Sequence, residues 1–296
     1  MRSYFIISAF LFTGLLAGIL IERTEPLPYR LAKKVAKNLL TTTSASTPTE
    51  CDIATIERFS EPANIVIGHA YGSPGAPSAL ISDNLRPFLE KNKTRIRNVF
   101  FSGDIFSIPS RQRWSDLAHY MKNLDLKYFI APGNHDVGFF DNTSRDIFND
   151  FHHFSYPIIK YADGFIVILV DTPNNRWGLS KNDIDIIRSF NDDTKPIIVI
   201  GHHVFTREFL HISNSKVGLN KTLPSLVELG KIFENKDQNI FLISGDTGAI
   251  QNLPRTTCSR YNNIMAIVNG VGNLENDEII AFNDKGIWRV KVYIDE

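Results

Sequence analysis

Five short apolar runs close on a glycine followed directly by a histidine, aspartate or asparagine: Gly68-His69, Gly103-Asp104, Gly133-Asn134-His135-Asp136, Gly201-His202-His203 and Gly245-Asp246. Carboxylate and amide oxygens mixed with imidazole nitrogens form a donor set that suits Mn, Fe or Zn better than Ca or Mg. Any one of these places alone is an ordinary turn, since Asn and Asp bond their own backbone there. Five of them, each closing an apolar run, argue for a common site.

The runs that must position these residues are 65–67, 98–101, 127–130, 165–170, 197–200 and 240–243. They are short and rich in β-branched and aromatic residues, so they predict buried strands. Helical spacing falls between them. Leu80, Leu85, Phe88 and Leu89 share one side of 78–91, and Leu117, Tyr120, Met121 and Leu124 one side of 114–124. Residues 182–190 and 223–233, the latter behind Pro224, predict two more helices. Strand–helix alternation argues for α/β architecture. In such sheets ligands bind outside the carboxyl ends of strands, where the polar residues stand.

With Gly103-Asp104, Gly133-Asn134-His135-Asp136 and Val199-Ile200-Gly201-His202 in this order, the chain resembles the calcineurin-like metallophosphoesterases, a family that includes purple acid phosphatases and many phosphodiesterases. The likeness covers nearly all of residues 51–296. It implies a two-sheet β-sandwich flanked by helices, with Asp104, Asn134, His135, His202 and Asp246 converging at one end. It also implies roles. Asp104 resembles the carboxylate that bridges two metals, while Asn134 and His202 resemble ligands of the second. His135 resembles the proton donor to the leaving oxygen, with Asp136 orienting its ring. The metal would polarise the phosphoryl oxygen and lower the pKa of the attacking water. His203 would stand beside the site, either touching phosphate or serving a structural purpose.

Two motifs of the family pattern are altered. Its closing G-H-x-H reads Gly245-Asp246-Thr247-Gly248 here, so Asp246 replaces one His ligand and Gly248 cannot ligate through a side chain. Its opening D-x-H falls in Gly68-His69-Ala70-Tyr71-Gly72. Either His69 and Tyr71 take the two ligand positions, or Gly68 and Ala70 do and nothing is left. The expectation is one well-held divalent ion on Asp104, Asn134, His202 and Asp246, with a second only through His69. The 72–77 stretch reads as a loop over the site.

The resemblance supports two functions. The first is metal-dependent hydrolysis of phosphomonoesters or phosphodiesters, favoured by the intact His135-Asp136 pair. The alternative is a non-catalytic relative that binds a phosphorylated or polyanionic envelope component, favoured by the missing first-metal donors.

Bulk properties bound these readings. The chain has 296 residues, 43% of them hydrophobic, with 32 Lys plus Arg against 32 Asp plus Glu. That is an ordinary globular composition without the basic excess that nucleic-acid binding through phosphate needs, so no nucleic-acid partner is expected. Residues 4–21 carry no charge and, at about 1.5 Å per residue, span roughly 27 Å of hydrocarbon. No small-residue cleavage site follows, which favours an uncleaved single-pass anchor at 1–24 over a signal peptide. Residues 25–50 combine a short basic amphipathic segment with a Thr/Ser/Pro linker, and the folded domain should occupy 51–296. A literal count of positive flanks would leave the domain in the cytoplasm. The short tail before the apolar run and the even cysteine count favour the extracytoplasmic side. The two cysteines, Cys51 and Cys258, are either one disulfide or two free thiols.

Overall fold

A computed structural model describes residues 53–73, 77–138, 143–175, 177–190, 194–210, 223–233, 236–247 and 256–292, all within the compact unit Ala45–Glu296. The expected anchor, the linker, Cys51 and Gly248 lie outside these residues. So does part of the 72–77 loop. Among the described residues no helix is long and apolar enough to cross a membrane.

In chain order the described elements are β1 (Thr55–Ile56), β2 (Ala63–Ile67), α1 (Leu85–Asn92), β3 (Ile96–Ser102), α2 (Arg111–Asn123), β4 (Lys127–Ala131), α3 (Asn134–Val137), α4 (Thr143–Phe151), β5 (Ile158–Ala162), β6 (Phe165–Leu169), α5 (Lys181–Ser189), β7 (Ile197–Gly201), α6 (Leu226–Ile232), β8 (Ile240–Ser244), β9 (Thr257–Tyr261), β10 (Ile264–Val268), β11 (Glu278–Asn283) and β12 (Gly286–Lys291). The strands form two mixed sheets, ordered β1-β12-β11-β2-β3-β4 and β5-β6-β7-β8-β10-β9. All six apolar runs named above are strands, each within two residues of its expected ends.

Four of those runs, 65–67, 165–170, 197–200 and 240–243, are continuously apolar because both of their faces are covered. In β6 and β7, Val167, Leu169, Ile198 and Ile200 meet Val66, Phe100 and Phe282 of the other sheet, forming the layer between the two sheets. Their alternate neighbours Ile166, Ile168, Ile197 and Val199 pack instead with Ile187 of α5 and with Leu226 and Leu229 of α6. On the outer face of the first sheet, Ile65, Val99 and Phe101 meet Leu85 and Phe88 of α1, Trp114 and Leu117 of α2 and Phe148 of α4. Each such side chain removed from water stabilises the fold by about 1.5–3 kcal/mol before the entropy of ordering it is counted.

Local signals set the helix starts. Ser110, Ser180 and Ser225 accept the N–H of Arg113, Asp183 and Glu228, satisfying donors that a first helical turn leaves open. The helix expected from residue 78 begins only at Leu85. The preceding residues are held in turns, with the Ser78 and Ser82 N–H groups donated to the carbonyls of Tyr71 and Ala70. Those bonds compete with the helical ladder and tie this segment to the loop after β2.

Candidate metal centre

Parallel pairing in register makes the strand ends coincide. Strand β2 runs parallel to β3, and β3 to β4, with Ile67 opposite Phe101 and Ser102 opposite Ala131. In the other sheet β7 runs parallel to β8, with Gly201 opposite Ser244. His69, Asp104, Asn134, His202 and Asp246 each stand within three residues of one of these ends. Bonds between the sheets fix the two rims together. His202 Nδ1 lies 3.2 Å from the Ser102 carbonyl, and the Val271 N–H is donated to the Gly68 carbonyl at 3.0 Å.

The approach is close enough to require glycine. A Cβ on Gly103, whose φ is +81°, would lie 2.6 Å from the His202 ring. One on Gly133 would lie 2.2 Å from the Asp104 nitrogen. The next residues are bent too. His69 and Asp104 hold φ values of 52° and 54°, a left-handed conformation that costs a non-glycine residue roughly 1–2 kcal/mol. This local strain turns both side chains out of their strands and into the rim.

Three oxygen donors meet at His202, making four donor residues with it. Its Nε2 lies 3.1 Å from Asn134 Oδ1, 3.3 Å from Asp104 Oδ1 and 3.6 Å from Asp246 Oδ1. Donors held about 2.0–2.2 Å from a common ion stand roughly 3.0–3.6 Å from one another, so this spacing fits a first-row metal. The charges fit as well. Asp104, Asp246 and Asp136 are buried around His202, an excess of anionic oxygen that a divalent cation would balance. Burial opposes the ionisation of Asp104, yet His202, His135 and His69 outweigh it and hold the carboxyl below its usual range. Burial likewise opposes charge on His202, and Asp104, Asp246 and Asp136 overcome it and raise its pKa.

His69 settles on the other flank, its Nε2 3.8 Å from Asp104 Oδ2 and its Nδ1 3.0 Å from the Gly72 carbonyl. Of the two alignments left open by the sequence, this one brings a side chain to the carboxylate. Gly68 has no room for any, because a Cβ there would lie 2.5 Å from Gly245 Cα. The Tyr71 ring packs on His69 at 4.2 Å and on His135 at 5.5 Å between centroids.

His135 and Asn134 are partly exposed, whereas Asp104, His69, His202, His203 and Asp246 are buried. The centre therefore opens to solvent past His135. The His135 N–H is donated to Asp104 Oδ1 at 3.1 Å, and its Nδ1 lies 2.9 Å from the Ser107 carbonyl. This corrects the role expected of Asp136. Its carboxylate accepts the backbone N–H groups of Ile105, Phe106 and Gly133, so it pins the loop after Asp104 to the start of α3. Burial and the charge of Asp104 push its pKa up to about 7. The ring is oriented by Ser107, which sequence reasoning had no means to find, because any residue carries a carbonyl.

Beside the four donors lies His203, whose Nδ1 is 3.0 Å from Thr172 Oγ1. Burial and the adjacent His202 push its pKa well below the ordinary histidine value, keeping the ring neutral. The polar residue closing β6, Asp171, pairs with Arg145 and accepts the Asn174 N–H. Asn269, directly after β10, stands buried at the same rim, with its N–H donated to the Ser244 carbonyl. The polar-after-strand signal that marked the other residues applies to it as well.

No curated protein matches the chain in sequence. Among solved structures, a purple acid phosphatase from yellow lupin (Lupinus luteus) seeds is similar at 11% identity and a TM-score of 0.47, over 79% of this chain and 54% of that one. The chain thus spans about half the length of the lupin protein. TT1561 of Thermus thermophilus is similar at 8% identity and a TM-score of 0.46, over 79% of this chain and 100% of that one. The family model for calcineurin-like phosphoesterases matches residues 83–219. That span takes in Asp104, Asn134, His135, Asp136, His202 and His203, and leaves out the altered motifs at His69 and Asp246. Over that span the chain is similar to the calcineurin-like phosphoesterases, the family that its strand-end residues resemble.

Proposed function

We propose that this chain is a metal-dependent hydrolase of phosphomonoesters or phosphodiesters, with Asp104, Asn134, His202 and Asp246 holding one ion of Mn, Fe or Zn. The observation that carries this reading is the meeting of three oxygen donors within 3.6 Å of His202 Nε2, beside a partly exposed His135. Such an ion supplies Lewis-acid polarisation of a phosphoryl oxygen and a more acidic water. Asp104 has two tasks, since the carboxylate that faces the donors also accepts the His135 N–H and so places that residue. With Nδ1–H donated to Ser107, the His135 ring presents Nε2 as the atom that hands a proton to the leaving oxygen.

The test is hydrolysis of a broad panel of phosphate monoesters and diesters by the full chain loaded in turn with Mn, Fe and Zn. Turnover of any member supports the reading. If the loaded protein binds the metals and turns over nothing, the better reading is a binding protein for a phosphorylated or polyanionic envelope component. The ion count has its own test. One tightly held ion should survive His69→Ala, measured as metal per chain by mass spectrometry; its loss would give His69 a principal share in the binding.

The apolar run at 4–21 supports a single-pass anchor, and we propose that the domain lies on the extracytoplasmic side. Cys258 is disulfide-bonded, as residues on an oxidising side commonly are. Protease added outside intact cells should then degrade the domain. Full protection would place it in the cytoplasm.

A further inference from the structure

The His203 side chain is wholly buried, and a ring nitrogen of His203 lies with one donor atom each of His202 and Asp246 inside a cluster no wider than 4.8 Å. One side of the ring is fully engaged. Thr172 Oγ1 accepts the His203 backbone N–H at 3.1 Å and stands 3.0 Å from Nδ1, so one hydroxyl orients both main chain and imidazole. The other side is not. Nε2 is buried and makes no hydrogen bond among the described residues, while the ring lies edge to face with Trp177 at 3.9 Å. A residue kept only for packing has no reason to bury an unsatisfied nitrogen there. With Nδ1–H donated to Thr172, Nε2 carries the lone pair, the arrangement in which a second partner typically orients a metal-binding histidine.

We propose that His203 is a further metal-binding residue of this centre, its Nε2 supplying an imidazole in place of those missing from the altered motifs. This rests on the metal-centre reading given above. The ion would then be held by His202 and His203 in sequence, with Asp246 closing the same side and Asp104 and Asn134 the other.

Zinc titration of the full chain, labelled with ¹⁵N-histidine, tests this through long-range ¹H–¹⁵N spectra. The His203 ring is assigned from its contact with Trp177. Its Nε2 resonance should move to the metal-bound position together with that of His202, at one equivalent of zinc. By calorimetry, Thr172→Val should weaken zinc binding roughly 10–100-fold, the usual cost of losing an orienting partner, and His203→Gln by at least as much. If the His202 resonance moves and that of His203 does not, this proposal is overturned while the centre stands. If zinc moves neither, both readings fail. The wild-type spectrum decides the matter even if His203→Gln does not fold.

Discussion

Asp104→Ala should remove metal binding and turnover together. Among the described residues its carboxylate is the anionic group placed on both flanks, with Oδ1 3.3 Å from His202 Nε2 and Oδ2 3.8 Å from His69 Nε2. Among the donors that meet at His202, Asn134 is neutral and Asp246 approaches from one side only. Losing Asp104 therefore removes the charge that binds the cation, and the His135 N–H loses its acceptor as well. Turnover should fall by at least the roughly 10²–10³-fold that one preorganised electrostatic contact is worth, with metal per chain dropping in parallel. Metal content should be measured on protein whose circular dichroism matches wild type. A folded variant that keeps its full metal content would show that the carboxylate is not a ligand.

His135→Ala should have the opposite signature. The ring stands at the open edge of the centre and is tied by Nδ1 to Ser107, so it reaches none of the four donors through that atom. Metal content should stay unchanged while turnover slows roughly 10²–10⁴-fold, the usual contribution of a positioned proton donor. The slowing should shrink for nitrophenyl esters, whose leaving groups depart with little protonation, and be largest for alkyl esters. An equal loss on both substrate types would mean that His135 binds or positions rather than protonates. Because Asp136 holds backbone N–H groups instead of the ring, Asp136→Asn should act mainly through stability. Its effect on rate should not copy that of His135→Ala.

Much of this architecture is written in local residue order. The runs at 65–67, 165–170, 197–200 and 240–243 are apolar at every position because strands in the middle of a two-sheet stack are covered on both faces, and that property is visible without coordinates. The glycine-linked Asp, Asn and His residues are legible for a related reason. A chain leaving a buried strand must turn, and a ligand-binding residue at that turn stands out against an apolar background. The C-terminal strands were not legible. β9 and β12 mix polar with apolar residues and so lack a clear run, and although each joins its neighbour through a two-residue turn, no local spacing places β10 beside β8 or β11 beside β2.

Tertiary structure alone decided how the rim is assembled. Sequence order does not say that Ser102 of one sheet faces His202 of the other, since that contact depends on the stacking of the two sheets. Nor does it choose between His69 and Gly68, which the collision of a Gly68 side chain with Gly245 resolves. The orienting of His135 by Ser107 and of His203 by Thr172 came from the folded chain too. A backbone carbonyl carries no residue identity, and a threonine becomes an orienting partner only when folding brings it to an imidazole. Residue types and strand ends therefore named the donors, while register and sheet packing, which are sums of long-range contacts, determined which of them meet.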